Sequence, residues 1–123
     1  MLITAATAPT FSADGTTAVG YASPSRGAAD LSLWRIRLDP ATASPYHTLS
    51  REEVFLALDG DAVATVDGAE PALAPGDCLV VPPEVPFSIA AGTGGFAAVC
   101  AMAAGGEATI LPDGPTITPP WAA

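Results

Sequence analysis

Two stretches decide the fold: residues 41–60, which read Ala41-x5-His47-x-Leu49-x3-Glu53-x6-Gly60, and residues 76–91, which read Gly76-x5-Pro82-x4-Phe87-x3-Ala91. Within the first, Tyr46 to Asp59 is free of glycine and proline and contains Ser50-Arg51-Glu52-Glu53, the spacing of a helix capping box. Val54-Phe55-Leu56 in the same segment suits a strand, so a short helix from Ser50 to the Asp59-Gly60 stop competes with a strand on local signals. The second stretch opens on the turn Pro75-Gly76-Asp77 and continues into the apolar run Cys78 to Val81.

Outward from these stretches the chain is punctuated too often for helices. Twelve glycines and thirteen prolines are spread along 123 residues, and both residues interrupt helix interiors. Short strands are expected at Ala18 to Ala22, Leu31 to Leu38, Glu53 to Leu58, Ala62 to Val66, Cys78 to Val81, Phe87 to Ala90, Phe96 to Met102 and Ala108 to Leu111. That is the spacing of an all-β sandwich or barrel. Asp67-Gly68 supplies the two positive-φ residues of a type I′ turn and predicts a hairpin over Ala62 to Leu73. With no repeat and no linker, one domain over 1–123 is expected, with a barrel core at about 18–111, an N-terminal arm at 1–17 and a C-terminal tail at 112–123.

Charge and composition exclude several functions. Thirteen acidic residues against four basic ones give a net charge of −9, which repels phosphate backbones and anionic lipid, so neither nucleic acid nor membrane is an expected partner. The four basic residues are Arg26, Arg35, Arg37 and Arg51; without lysine no Schiff base can form. Cys78 and Cys100 lie in apolar segments without the spacing of a disulfide framework or a Cys-x-x-Cys motif, and both are expected to be reduced, small core residues. No basic region precedes an apolar stretch at the amino terminus, and the longest apolar run, Phe96 to Ala104, is shorter than the roughly 20 residues of a membrane helix. A soluble cytoplasmic protein is the expectation.

The two stretches resemble the two cupin motifs. His47, Glu53 and Gly60 fall on the first, Gly76 and Pro82 on the second; Ala41, Leu49, Glu84, Phe87 and Ala91 depart from them. The resemblance implies a double-stranded β-helix, a jelly-roll cupin barrel, in which Glu53 to Leu58 is a strand and not a helix. It also implies a homodimer. Family members with a metal hold it with two histidines and the glutamate of motif one and the histidine of motif two, so the resemblance leaves His47 and Glu53 as the metal positions kept here. Leu49 and Phe87 stand where two ligands are lost. Two ligands hold a divalent ion weakly: no tight cofactor is expected, and a weakly bound divalent transition metal is the alternative.

His47, the only histidine, has a side chain that titrates near pH 6.5 and can act as acid, base or ligand, or sit as a packed, hydrogen-bonded remnant. Glu53, on the same cavity, either orients and charge-stabilises the imidazole, a pairing that raises its pKa, or serves as a buried hydrogen-bonding partner that fixes the barrel. Leu49, Phe55 and Phe87 would line an apolar ligand pocket. Arg35, sharing a strand face with Arg37, Leu31 and Leu33, either clamps a ligand carboxylate or faces solvent. Trp121, held extended by Pro119-Pro120, either docks on the barrel wall or a second subunit, or frays. The functional expectation is a small organic molecule bound in an apolar barrel cavity with a degenerate metal site. Its alternatives are a metal-free isomerase with His47 as base, a weakly metal-dependent oxygenase, or a structural module whose barrel is filled.

Overall fold

Alternation sets the architecture. In Leu31–Leu38, Ser32, Trp34 and Leu38 are buried while Leu31, Leu33, Arg35 and Arg37 are exposed, the period of two that a pleated strand imposes. The computed structural model describes residues 1–123. Its strands are β1 (Thr10–Ala13), β2 (Thr16–Ala22), β3 (Leu31–Leu38), β4 (His47–Leu49), β5 (Glu53–Val66), β6 (Ala72–Leu73), β7 (Cys78–Val81), β8 (Phe87–Ala103), β9 (Ala108–Ile110) and β10 (Thr116–Ile117), with a single 3-10 turn at Pro24–Arg26. They pair in the order β1-β2-β3-β8-β4-β9-β10, and β5 branches from β8 carrying β6 and β7. The all-β, jelly-roll expectation holds, and no helix is long and apolar enough to cross a membrane. The capping box at Ser50 does not form, because Glu53 starts a strand.

The spine is the ribbon of β5 and β8, paired from Glu53↔Met102 to Val66↔Phe87. The sequence reading divides each of these strands in two; the structure joins the halves through a bend. Register shifts flank Gly60, and the pairing passes from Gly60↔Phe96 to Ala62↔Ala91, so residues 92–95 leave the ladder. Gly60 has φ +72, and the Gly95 carbonyl occupies the place where a Cβ would stand. Such a bulge turns a strand without ending it, whereas in sequence its glycines read as a loop.

At the hairpin tip Asp67 and Gly68 have φ 47 and 86, and Val66 and Ala69 exchange backbone hydrogen bonds of 2.8 and 2.9 Å. Asp14 and Gly15, at φ 50 and 79, join β1 to β2 with the same Asp-Gly dipeptide. The sheet thus extends past the expected limits of 18 and 111: the arm contributes β1 and the tail contributes β10. The tail lies on the wall of its own barrel. Ser32 Oγ donates to the Ala122 carbonyl at 2.6 Å, the Arg26 guanidinium donates to the Trp121 carbonyl, and the Trp121 ring lies 6.5 Å from that of Phe11.

The core gathers Trp34, Phe55, Phe87, Phe96, Cys100 and Met102 with smaller residues around them. Cys100 is the buried residue expected, but Cys78 is exposed: β7 is an outer strand of the β5 branch, and Cys78 and Val80 turn away from Val81 and the core.

Candidate functional site

β4 is only three residues long, yet it places two candidates. His47 and Leu49 flank Thr48, so both turn to one face, and His47 pairs with Phe87 of β8 and Ile110 of β9. Glu53 and Phe55 alternate inward at the start of β5. These residues line a cavity of about 600 Å³ together with Phe87, Trp34 and Trp121. The structure therefore brings together His47, Leu49, Glu53, Phe55 and Phe87. Arg35 is not among them. It stands with Arg37, Leu58 and Asp59 around a separate outer depression, because the period of two that turns Trp34 inward turns Arg35 outward.

A pairing of His47 with Glu53 is not made. His47 Nδ1 lies 2.6 Å from the Pro45 carbonyl, and the imidazole packs against Phe87 with centroids 4.3 Å apart. Burial, opposed by the Pro45 hydrogen bond, holds its pKa below 6.5. A neutral imidazole facing a carbonyl must carry its proton on Nδ1, which leaves Nε2 as an acceptor and base. Pairing with a carboxylate would raise the value; desolvation lowers it.

Glu53 has another partner. Burial pushes its carboxyl up to about 8, against the Cys100 thiol that hydrogen-bonds it. Burial, the Glu53 charge and that same hydrogen bond in turn push the Cys100 thiol well up. At neutral pH the site thus offers a carboxylic acid O–H and a free imidazole nitrogen in apolar surroundings. Trp34 adds a third polar group: its Nε1 is buried in the wall without a hydrogen-bond partner, an arrangement that costs about 1–3 kcal/mol.

A metal fits this donor set poorly. No group of three or more His, Cys, Asp or Glu side chains gathers anywhere in the chain, and Phe87 covers the imidazole of His47. Leu49 and Phe87 supply apolar surface where a third ligand would be needed.

Trp34 and the tail are the site residues that sequence reasoning did not assign. Inward alternation on β3 marks Trp34 as facing the interior, but only the folded wall shows that its N–H is unpaired. Phe11 and Trp121 enter through β1 and the docked tail, and the Asp14-Gly15 turn was the available signal for the first.

The sequence model of the cupin domain matches residues 34–103. Among solved structures the chain is similar to salicylate 1,2-dioxygenase from Pseudaminobacter salicylatoxidans, at 27% identity and TM-score 0.68, over 76% of this chain and 28% of that one. The chain thus spans under a third of the dioxygenase's length. It is similar in fold to KdgF from Halomonas sp., at 14% identity and TM-score 0.74, over 84% of this chain and 92% of that one. It is likewise similar to an RmlC-like cupin from Shewanella frigidimarina NCIMB 400, at 19% identity and TM-score 0.72, over 81% and 86%. No curated protein matches.

Proposed function

The chain belongs to the cupin family, and from that premise we propose that it binds a small organic molecule inside its barrel without a tightly held metal. The observation that carries this reading is the cavity of about 600 Å³, walled mainly by apolar side chains, with polar groups at His47 and Glu53. Ligand pockets have that size and make-up. The filled-barrel alternative loses its support with a cavity of this volume. The likeness to a dioxygenase does not extend to an oxygenase reading, since the donor set here lacks a third ligand.

Titration with Nile red, an uncharged polycyclic dye, tests the reading. Saturable one-to-one binding is expected, lost when Ala108→Phe fills the cavity that Ala108 lines. A binding curve that Ala108→Phe leaves unchanged refutes it.

One observation favours catalysis as a second reading. His47 Nε2 is free to act as a base, while Glu53, with a pKa of about 8, is an acid on the same cavity wall. That combination suits proton transfer within a bound substrate. Turnover of a bound carbonyl compound, lost in His47→Gln with binding retained, separates catalyst from binder.

The homodimer remains part of the proposal. A row of outward positions crosses the sheet through Leu33, Ala101, Val54 and Val80, with Leu31, Leu33, Leu56 and Val80 exposed, and a second copy would cover this face. Sedimentation of the wild-type chain and of Leu33→Asp tests it: a monomeric wild type removes the dimer.

A further inference from the structure

The His47 ring makes one hydrogen bond within the chain and has a second to offer. Its Nδ1 faces the Pro45 carbonyl at 2.6 Å, so a neutral ring carries its proton there and presents a lone pair at Nε2. Above the ordinary histidine pKa of about 6.5 the ring is neutral, and burial widens that range. Leu49, two residues on along β4 and therefore on the same face, is 3% exposed. The His47 side chain points inward with it, and Nε2 stands at the end of the ring away from the backbone. Two buried side-chain nitrogens are sealed without a partner, Arg26 Nε and Trp34 Nε1. His47 Nε2 is not one of them: unpartnered within the chain, it stays accessible, on a residue that lines the cavity.

A lone pair on imidazole accepts and cannot donate, so a bound molecule satisfies it only with a donor of its own. Apolar walls sharpen that demand. A ligand that drives water off Nε2 and brings no O–H or N–H leaves a desolvated acceptor unpaired, whereas a donor placed there makes a bond that the low-dielectric surroundings strengthen. Charge restricts the donor further. Arg35 and Arg37 stand on the outward face of β3, Arg26 is tied to the tail through the Trp121 carbonyl, Arg51 is exposed ahead of β5, and the chain has no lysine. The other ionisable residues lining the cavity are Asp14 and Glu53, so a carboxylate or phosphate would meet acids and no arginine, in a chain of net charge −9. An ammonium group would meet mainly apolar walls and a Glu53 carboxyl that burial keeps protonated up to about 8.

We propose that this cavity takes uncharged, mainly apolar molecules bearing a hydroxyl, an alcohol or a phenol, whose O–H donates to His47 Nε2. The inference rests on the reading of the barrel as a binding site and adds the chemical class of the ligand. A series on one ring system tests it: 2-naphthol, 2-methoxynaphthalene, 2-naphthoate and 2-naphthylmethylamine, each displacing Nile red at pH 7.5. The methyl ether keeps the oxygen of the naphthol and removes only the donor. The naphthol is expected to bind at least tenfold tighter than the ether, the carboxylate and the ammonium compound. Because His47 is the only histidine, the nitrogen resonance of its Nε2 is unambiguous; in the wild type it should be that of an unprotonated nitrogen and should move with the naphthol and not with the ether. His47→Phe, which keeps a ring against Phe87, should bring the naphthol to the level of the ether; the spectrum of the wild type decides the point if that variant does not fold. An ether or either charged compound that binds as tightly as the naphthol, an Nε2 that already carries the proton, or one indifferent to the naphthol overturns the selectivity. So does a naphthol that fails to displace bound Nile red; each of these leaves the binding site standing. Absence of Nile red binding overturns the binding reading and the selectivity with it.

Discussion

Replacing Glu53 with glutamine isolates the buried carboxyl. Glutamine copies the shape of a protonated glutamate and cannot ionise, so the two proteins should match at low pH and diverge above pH 4.5, where the unfolded chain loses the proton that folded Glu53 keeps. Its pKa stands at about 8 in the folded chain against an ordinary 4.5, with burial as the largest cause. A carboxyl raised in this way binds more protons folded than unfolded, so its share of stability is complete below pH 4.5 and is lost as pH rises toward 8. At about 1.4 kcal/mol per pH unit, a displacement from 4.5 to about 8 amounts to about 5 kcal/mol once the group is fully ionised. About 3 kcal/mol of that is already lost at pH 7, a large share of the 5–15 kcal/mol typical of a whole domain. Urea denaturation of wild type and Glu53→Gln at pH 4, 7 and 9 measures the gap, and subtraction removes the general repulsion of a chain this acidic. The variant should be equal at pH 4 and progressively more stable above it. A gap that stays constant within about 1 kcal/mol across that range would mean the carboxyl ionises freely and is not desolvated.

His47 should titrate in the opposite sense: its ring protons, followed by NMR, should show a midpoint below 6.5, and the stability it supplies should disappear as pH falls through that range. A midpoint above 6.5 would point to the carboxylate pairing the structure lacks. Ala41 and Glu84, two of the departures from the cupin motifs, hold left-handed φ of 58 and 64. Ala41→Gly and Glu84→Gly should each stabilise the fold by about 0.5–1 kcal/mol, since glycine removes left-handed strain and returns part of the gain as chain entropy; thermal unfolding midpoints that do not rise count against this. Leu49→His with Phe87→His would complete a four-ligand set with His47 and Glu53, and calorimetry should show zinc or nickel binding at least a hundredfold tighter than in the wild type. Equal affinities would show that Leu49 and Phe87 are not what weakens the site.

The strand set was legible wherever alternation or turn chemistry is strong. Leu31–Leu38 and Cys78–Val81 have the expected limits, and Asp67-Gly68 makes its hairpin. Two features were hidden for a shared reason. β4 is too short to display a period, and the β5–β8 bend uses Gly60 and the glycines of residues 92–95, which in sequence look like interruptions. The site was legible in membership but not in chemistry. The motif positions imply that His47 and Glu53 share one cavity, yet they do not reveal that the Pro45 carbonyl becomes the partner of His47. For Arg35 the sequence left a cavity clamp and a solvent face open, and the alternation that buries Trp34 turns Arg35 to solvent.

The two cysteines, one exposed at Cys78 and one sealed at Cys100, make the barrel its own reporter of opening. Cys78 is free to meet a thiol reagent in the native state. Cys100, its thiol held protonated by burial and by Glu53, reacts only in molecules whose wall has parted. The ratio of the two labelling rates therefore reads the free energy of that opening from within one chain, and a ligand that fills the cavity should slow the second rate and leave the first alone.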